Sequence, residues 1–129
     1  MMERRRIASG SPFEPEIGFS RALVAGPHVH VSGTAPIPAD GGVVAADVYE
    51  QARRCLEIVV AALREAGAGP EHVVRTRTYL LDADDWRDVG RAHGEVFGHV
   101  RPASTMVVVA GLLDPEWKVE IEVDAVLDG

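Results

Sequence analysis

The last stretch of the chain constrains the fold more than any other, because it alternates between apolar and polar side chains. The apolar residues occupy every second position: Trp117, Val119, Ile121, Val123, Ala125 and Leu127. Most of the residues between them are charged: Lys118, Glu120, Glu122 and Asp124. Successive side chains of a β-strand point to opposite faces of its sheet. The segment is therefore predicted to be a strand with one buried and one polar face, and another layer must cover the buried face.

Two helices are predicted to supply that layer. Asp47 to Gly67 has an apolar stripe at helical spacing, an N-capping aspartate and a terminating glycine. Its stripe consists of Val48, Ala52, Cys55, Leu56, Val59 and Leu63. Asp82 to Gly98 has an acidic start, which suits a helix N-terminus, and one apolar face. That face carries Trp86, Val89, His93, Val96 and Phe97.

Four shorter strands complete the predicted order β-β-α-β-α-β-β. Two of them lie within Leu23 to Thr34 around a Gly-Pro turn, and the others are Val73 to Leu81 and Thr105 to Ala110. The fold class is thus α+β, with two helices on one face of a mixed sheet. Residues 1–129 form a single domain, in which 1–17 is expected to be an irregular N-terminal arm.

The strand around Met106 to Ala110 is apolar on both faces. One interpretation is a fully buried central strand, and the other is a sheet face that a second subunit covers. The second is favoured, because two helices cover only one side of a sheet.

Composition and charge argue against several classes of protein. Thirteen basic and twenty acidic residues give a net charge of −7 in a chain of 129 residues, which argues against nonspecific nucleic-acid binding. The longest apolar run, Met106 to Leu113, is far shorter than the roughly 20 residues of a membrane span. No apolar segment follows Arg4 to Arg6, so no secretory signal is expected. Cys55 is the single cysteine, which excludes an internal disulfide and favours a reducing cytoplasm.

Three carboxylates share the polar face of the last strand. Glu120, Glu122 and Asp124 could form a catalytic carboxylate site, a solvated strand face, or ion pairs with Arg75 and Arg77. From spacing alone, the solvated face is favoured. The pair His28 and His30 could hold zinc, but a satisfied or exposed pair is preferred because no third ligand has suitable spacing. His93 is interpreted as a core or interface histidine.

Several short phrases, in order along the chain, resemble the RidA/YjgF family of small trimeric proteins. Each phrase is weak alone, but together they cover nearly everything from Gly18 to Ala125. The phrases are Ile17 to Ala22, Val31 to Pro36, Gln51 to Arg54, Val74 to Thr76 leading into Tyr79 and Leu80, Asp85-Trp86 before Val89, Arg101 to Thr105, and Val119 to Glu122.

The resemblance implies a chorismate-mutase-like fold and a homotrimer whose sheets line a central barrel. It also implies clefts between subunits that bind small carboxylate ligands. Archetypal members hydrolyse reactive enamines and imines to 2-keto acids and ammonia, with no metal and no organic cofactor. Glu120 matches the glutamate that serves the attacking water, so it is the expected catalytic residue. The residues expected to bind substrate are Phe19, Ser32, Gly33, Gly90, Arg101, Ser104, Thr105 and Met106.

The match is uneven at the substrate-binding positions. Ser104 stands where the family arginine clamps the substrate carboxylate, and a serine offers one neutral donor in place of two charge-assisted bonds. Phe19 replaces a tyrosine, Gly90 an asparagine, and Met106 a cysteine or threonine. A less acidic substrate than the archetypal 2-imino acids is therefore expected. Arg101 or Arg21 is a hypothetical replacement for the missing cation.

Three functions follow from these residues. The first is a RidA-like small-molecule hydrolase or deaminase acting on an imine, enamine or related metabolite in clefts between subunits. The alternative is a trimer that binds a metabolite without chemistry. The third, an endoribonuclease, is disfavoured by the acidic charge and by the few aromatic residues. No nucleic-acid or membrane partner is expected.

Overall fold

The computed structural model describes residues 3–128, which form one six-stranded sheet with two long helices against it. The strands are β1 (Arg4–Ile7), β2 (Ala22–Ala25), β3 (His28–Thr34), β4 (Val73–Leu80), β5 (Ala103–Val108) and β6 (Val119–Val126). The helices are α1 (Val48–Glu65) and α2 (Trp86–Phe97), and short helical turns occupy Glu14–Gly18, Pro70–His72 and Ala83–Asp85. The predicted α+β class, with both helices packed against one mixed sheet, is confirmed.

The strands lie in the order β1-β2-β3-β6-β4-β5. All neighbouring strands are antiparallel except β4 and β5, which are parallel and joined by α2. A parallel pair requires a crossover connection, and α2 is that connection. The predicted last strand is confirmed as β6, which lies near the centre of the sheet between β3 and β4.

The core lies between the sheet and α1. Four residues of β6 are at most 1% exposed, and every residue of the predicted α1 stripe is buried. The four are Val119, Ile121, Val123 and Ala125. Asp47 caps α1 by accepting a hydrogen bond from the Glu50 amide. Gly67 has a φ of 87°, and the Ala68 amide donates to the Leu63 carbonyl over 2.8 Å. These features are a helix N-cap and a Schellman C-terminus, as the sequence predicts.

The N-terminal arm is more ordered than predicted. Residues 1–17 were expected to be irregular, but β1 pairs in antiparallel fashion with β2, so the observed order contains one additional strand. Three of its four residues are exposed arginines, and only Ile7 is buried. The strand forms because β2 offers a free edge for backbone pairing. Pairing of this kind does not require an apolar face, so the sequence of β1 shows no apolar alternation.

The doubly apolar strand is an edge strand. β5 pairs only with β4, and Val107 and Val108 are 43% and 53% exposed. The alternative of a buried central strand is therefore wrong, because apolar composition on both faces does not determine how many neighbours a strand has. No helix within residues 3–128 has the length and apolar character needed to cross a bilayer.

Candidate functional site

A bulge in β3 opens the sheet beside Glu120. Val31 faces Val123 and Thr34 faces Ile121 across the β3–β6 pair, so Ser32 and Gly33 together oppose a single residue of β6. A Cβ added at Gly33 would lie 3.3 Å from Glu120 Oε1. Gly33 has no positive φ, so the absence of a side chain there serves space and not backbone conformation. Gly33 therefore leaves the Glu120 carboxylate room for a small group.

Arg21 and the segment before it enclose the same position. The Arg21 guanidinium donates to the Gly33 carbonyl over 2.7 Å, and the Ser32 hydroxyl donates to the Ser20 carbonyl over 2.7 Å. Phe19 and Ser32 also line a groove of about 470 Å³ on the sheet face that the helices leave open, and the carboxylates that line this groove are Glu122 and Asp124. We call Arg21, Ser32, Gly33 and Glu120 the Glu120 cluster, and Phe19 lies along the groove that Ser32 shares.

Burial and charge set the electrostatics of this cluster. Burial raises the pKa of Glu120, Glu122 raises it further, and the positive charge of Arg21 opposes both effects. Burial lowers the pKa of Arg21, while the carboxylates of Glu14 and Glu120 raise it. The Arg21 Nε atom is buried and has no hydrogen-bond partner within residues 3–128. A half-buried carboxyl group with a raised pKa beside a cation is suited to taking and returning a proton.

The other two carboxylates of β6 are engaged in pairing. Arg77 lies 3.2 Å from Asp124 and 3.7 Å from Glu122, which confirms the ion-pair interpretation for that arginine. Tyr79 donates a hydrogen bond to Glu122, and His30 Nδ1 lies 2.7 Å from Asp124. In the described part of the chain, Arg75 makes no such pair. Glu120 therefore differs from its two neighbours, because its side chain makes no ion pair or hydrogen bond within residues 3–128. It lies beside Gly33, and the charges of Arg21 and Glu122 both act on it.

A second group of candidate residues lies between β5 and α2. Thr76 of β4 faces Ser104 of β5, and their hydroxyl oxygens lie within hydrogen-bond distance, 2.8 Å apart. The Thr76 Oγ1 atom also lies 2.8 Å from His93 Nε2 on α2. Burial lowers the pKa of His93. Met106 Cε would be 3.9 Å from a Cβ added at Gly90, so the methionine covers that glycine. We call Thr76, Gly90, His93, Ser104 and Met106 the Ser104 cluster.

The two clusters occupy opposite faces of the sheet within one protomer. Thr76 pairs with Ser104 on one side and with Val123 on the other, so Ser104 shares the helix-covered face with Val123. Glu120 alternates with the buried residues of β6 and belongs to the open face. A single copy of the chain therefore does not bring Glu120 and Ser104 together.

The remaining expected substrate-binding residues lie apart from the Ser104 cluster. Thr105 pairs with Arg77 on the open face, because it alternates with Ser104 along β5. Arg101 is an exposed residue in the loop before β5, with a φ of 54°. Of the two arginines considered as replacement cations, Arg21 is the one whose charge acts on Glu120.

Sequence reasoning does not find the contact among Thr76, His93 and Ser104. Thr76 is one polar residue in an alternating strand, and His93 falls on an apolar helix stripe. Only the parallel register between β4 and β5 brings the two hydroxyls together. One signal could have indicated this contact. The side chains of a serine, a threonine and a histidine all point into the layer that the helices cover.

Comparison with known proteins determines the family. The sequence model of the family described as Endoribonuclease L-PSP matches residues 10–127. The chain belongs to the RidA/YjgF family. It is 44% identical to protein SCO2049 of Streptomyces coelicolor over 121 residues, covering 94% of this chain and 90% of that protein. It is 34% identical to a RutC family protein of Pyrococcus horikoshii over 109 residues, covering 84% of each.

Two solved structures agree with the fold. Rv2704 of Mycobacterium tuberculosis, a member of the YjgF/YER057c/UK114 family, matches with a TM-score of 0.88 at 42% identity. The match covers 97% of this chain and all of that one. PA3499 of Pseudomonas aeruginosa matches with a TM-score of 0.86 at 35% identity, covering 99% and 95% of the two chains. The family resemblance predicted from the short phrases is thereby confirmed.

Proposed function

We propose that the protein is a cofactor-free hydrolase of the deaminase type, acting on a small imine or enamine that carries little negative charge. The observation that carries this proposal is the Glu120 carboxyl group, whose pKa is raised and which Gly33 leaves accessible. A neutral substrate fits because Ser104, and not an arginine, occupies the position of the family carboxylate clamp. Phe19 and Met106 make the proposed site more apolar still.

Glu120 would move a proton twice in this reaction. Its carboxylate takes a proton from water as the water oxygen bonds to the imine carbon, and the C=N electron pair moves to nitrogen. The protonated Glu120 gives its proton to that nitrogen, which yields a carbinolamine. Glu120 then takes the hydroxyl proton and delivers it to nitrogen as the C–N bond breaks. The products are a carbonyl compound and ammonia, and the glutamate ends in its starting state.

The complete site is proposed to form between neighbouring copies of the chain in a homotrimer. Two observations support this part of the proposal. The Glu120 and Ser104 clusters lie on opposite faces of one sheet, so neither completes the other within a protomer. The β5 edge also exposes Val107 and Val108, which a neighbouring subunit would cover. Light scattering at micromolar concentration should give the mass of a trimer, and the mass of a monomer would contradict this arrangement.

Imine hydrolysis tests the chemistry directly. The imine is generated in situ by a flavin oxidase, from an amino acid for a charged substrate or from benzylamine for a neutral one. Product release is then compared between wild type and Glu120→Gln. Glu57→Gln is the matched control, because Glu57 is an exposed carboxylate on α1. We expect Glu120→Gln to lose turnover by about 10²-fold or more while Glu57→Gln retains it.

Two results would overturn the proposal. Equal turnover by wild type and Glu120→Gln would remove Glu120 from the mechanism. No turnover above the uncatalysed rate, together with thermal stabilisation by a metabolite, would identify a binding protein without chemistry. RNA cleavage, which the family description names, has weaker support because the chain carries a net charge of −7. RNA that stays intact in the presence of the purified protein would exclude it.

A further inference from the structure

An unbroken hydrogen-bond chain leads from the exposed edge of the sheet to its helix-covered layer. Ser104 is exposed on β5, Thr76 is 0% exposed on β4, and His93 is half-buried on α2. The two oxygen atoms lie 2.8 Å apart, and Thr76 Oγ1 lies 2.8 Å from His93 Nε2. The His93 ring also packs against the Phe97 ring with centroids 4.8 Å apart, which holds the imidazole in place. Three different elements therefore converge on one chain of polar atoms.

The number of hydrogens limits what this chain can do. Thr76 has one hydroxyl hydrogen and can donate it to only one of its two partners. If His93 carries its proton on Nε2, it donates to Thr76, and Thr76 donates to Ser104. The Ser104 hydrogen is then free to point outward. If His93 carries its proton on Nδ1, Thr76 donates to His93 Nε2 and Ser104 donates to Thr76. Ser104 then offers only lone pairs to a ligand.

We propose that His93 is a positioning residue that acts through Thr76 to orient the Ser104 hydroxyl as a donor to an uncharged acceptor on the ligand, such as an imine nitrogen or an amide oxygen. The placement of Ser104 at the ligand rests on the proposed function, whereas the relay itself does not. The two 2.8 Å contacts of Thr76 Oγ1 accommodate the direction of donation that leaves the serine hydrogen free.

The electrostatics of the chain agree with an uncharged ligand group. Burial is the cause that lowers the pKa of His93, so the imidazole is neutral near pH 7 and carries a single N–H. A neutral relay supplies a directed donor without a permanent positive charge. It therefore has no strong preference for a carboxylate, in contrast to an arginine at the same position.

The relay can be tested without any enzymatic activity. The ¹⁵N resonances of the His93 ring report which nitrogen carries the proton. We expect Nε2 to be protonated in the wild type and the balance to shift toward Nδ1 in Ser104→Ala, because Thr76 is then free to donate to His93. Thr76→Val should shift the balance as well, whereas Thr76→Ser should retain the wild-type pattern. Identical His93 resonances in wild type, Ser104→Ala and Thr76→Val would overturn the relay.

The ligand contact is tested with an uncharged probe and with turnover. Titration of 2-pyrrolidinone, a neutral cyclic amide, should move the His93 resonances in wild type but not in Ser104→Ala, and no movement in wild type would overturn the contact. In imine hydrolysis, Thr76→Val should raise KM roughly 3- to 10-fold with kcat little changed, and Thr76→Ser should restore it. Absence of turnover in the wild type would refute the proposed hydrolase, while the resonance measurements would still decide the relay.

Discussion

The space beside Glu120 leads to the most specific prediction, which is the effect of Gly33→Ala. The added methyl group would lie 3.3 Å from Glu120 Oε1, so the carboxylate must yield by a few tenths of an ångström. The methyl also takes up space beside that oxygen, where the proposed mechanism requires a water molecule. A displacement of this kind at a catalytic group reduces turnover strongly, and we expect kcat to fall about 10- to 100-fold. Because Gly33 is exposed and has no positive φ, stability should change by less than about 1 kcal/mol.

Gly94→Ala is the matched control for this prediction. A Cβ at Gly94 meets no atom within 4 Å, and the residue lies on α2. Alanine there should stabilise the protein by about 0.5–1 kcal/mol and leave turnover unchanged. The assay is imine hydrolysis with kcat measured over a pH series, together with thermal unfolding of both variants. Wild-type kcat in a correctly folded Gly33→Ala protein would refute the reasoning that Gly33 keeps the Glu120 carboxylate accessible.

Three further predictions follow from the same contacts. Turnover should rise with pH as Glu120 ionises. Arg21→Gln should move this rise to higher pH, because the Arg21 cation holds the pKa of Glu120 down. An unchanged pH profile in that variant would show that the two groups do not interact. Since the pKa of Glu120 is higher in the folded protein than its ordinary value, ionisation costs stability. Glu120→Gln should therefore melt at a higher temperature than wild type at pH 7. This difference in melting temperature should shrink as the pH falls through the pKa of Glu120, because the wild-type carboxyl group is then protonated. A lower melting temperature for the variant at pH 7 would contradict the prediction. Asp47→Ala removes the α1 cap and should cost about 0.5–2 kcal/mol in urea unfolding at fixed protein concentration, and a cost near zero would show that the cap contributes nothing.

Elements with strong periodicity could be predicted from the sequence. The alternation in β6 and the stripe of α1 each predict which side chains are buried. The structure has the whole α1 stripe and the four central apolar residues of β6 in the core, whereas Trp117 and Leu127 at the two ends are only half-buried. Asp47 and Gly67 mark the ends of α1 because a capping side chain and a positive φ are local requirements. Features of this kind need no knowledge of distant residues.

Features that depend on pairing between distant segments could not be predicted. β1 consists mostly of arginines and forms because β2 has a free edge. The edge position of β5 follows from the strand order, which alternation within a strand does not encode. The distinct roles of the carboxylates on β6 have the same origin. Arg77 pairs with Glu122 and Asp124 through the β4–β6 register, whereas the bulge in β3 places Gly33 against Glu120.

The candidate site was only partly accessible to sequence reasoning. Glu120 and Gly33 carry the family phrases and lie close together in the structure. Ser104 also carries a family phrase, but the sequence does not place it on the opposite face of the sheet from Glu120. The relay from His93 through Thr76 to Ser104 requires α2, β4 and β5 to meet, so it can be recognised only in the three-dimensional structure.

Subunit complementation tests the central claim, that one site uses Glu120 of one copy and Ser104 of another. Glu120→Gln and Ser104→Trp are expected to be inactive separately, since one removes the base and the other obstructs the ligand. Mixed trimers prepared from equal amounts of the two variants should recover about a quarter of wild-type activity, because random assembly pairs two intact residues at that fraction of interfaces. Mixed trimers that remain inactive would show that both residues act within one subunit or that the site lies elsewhere.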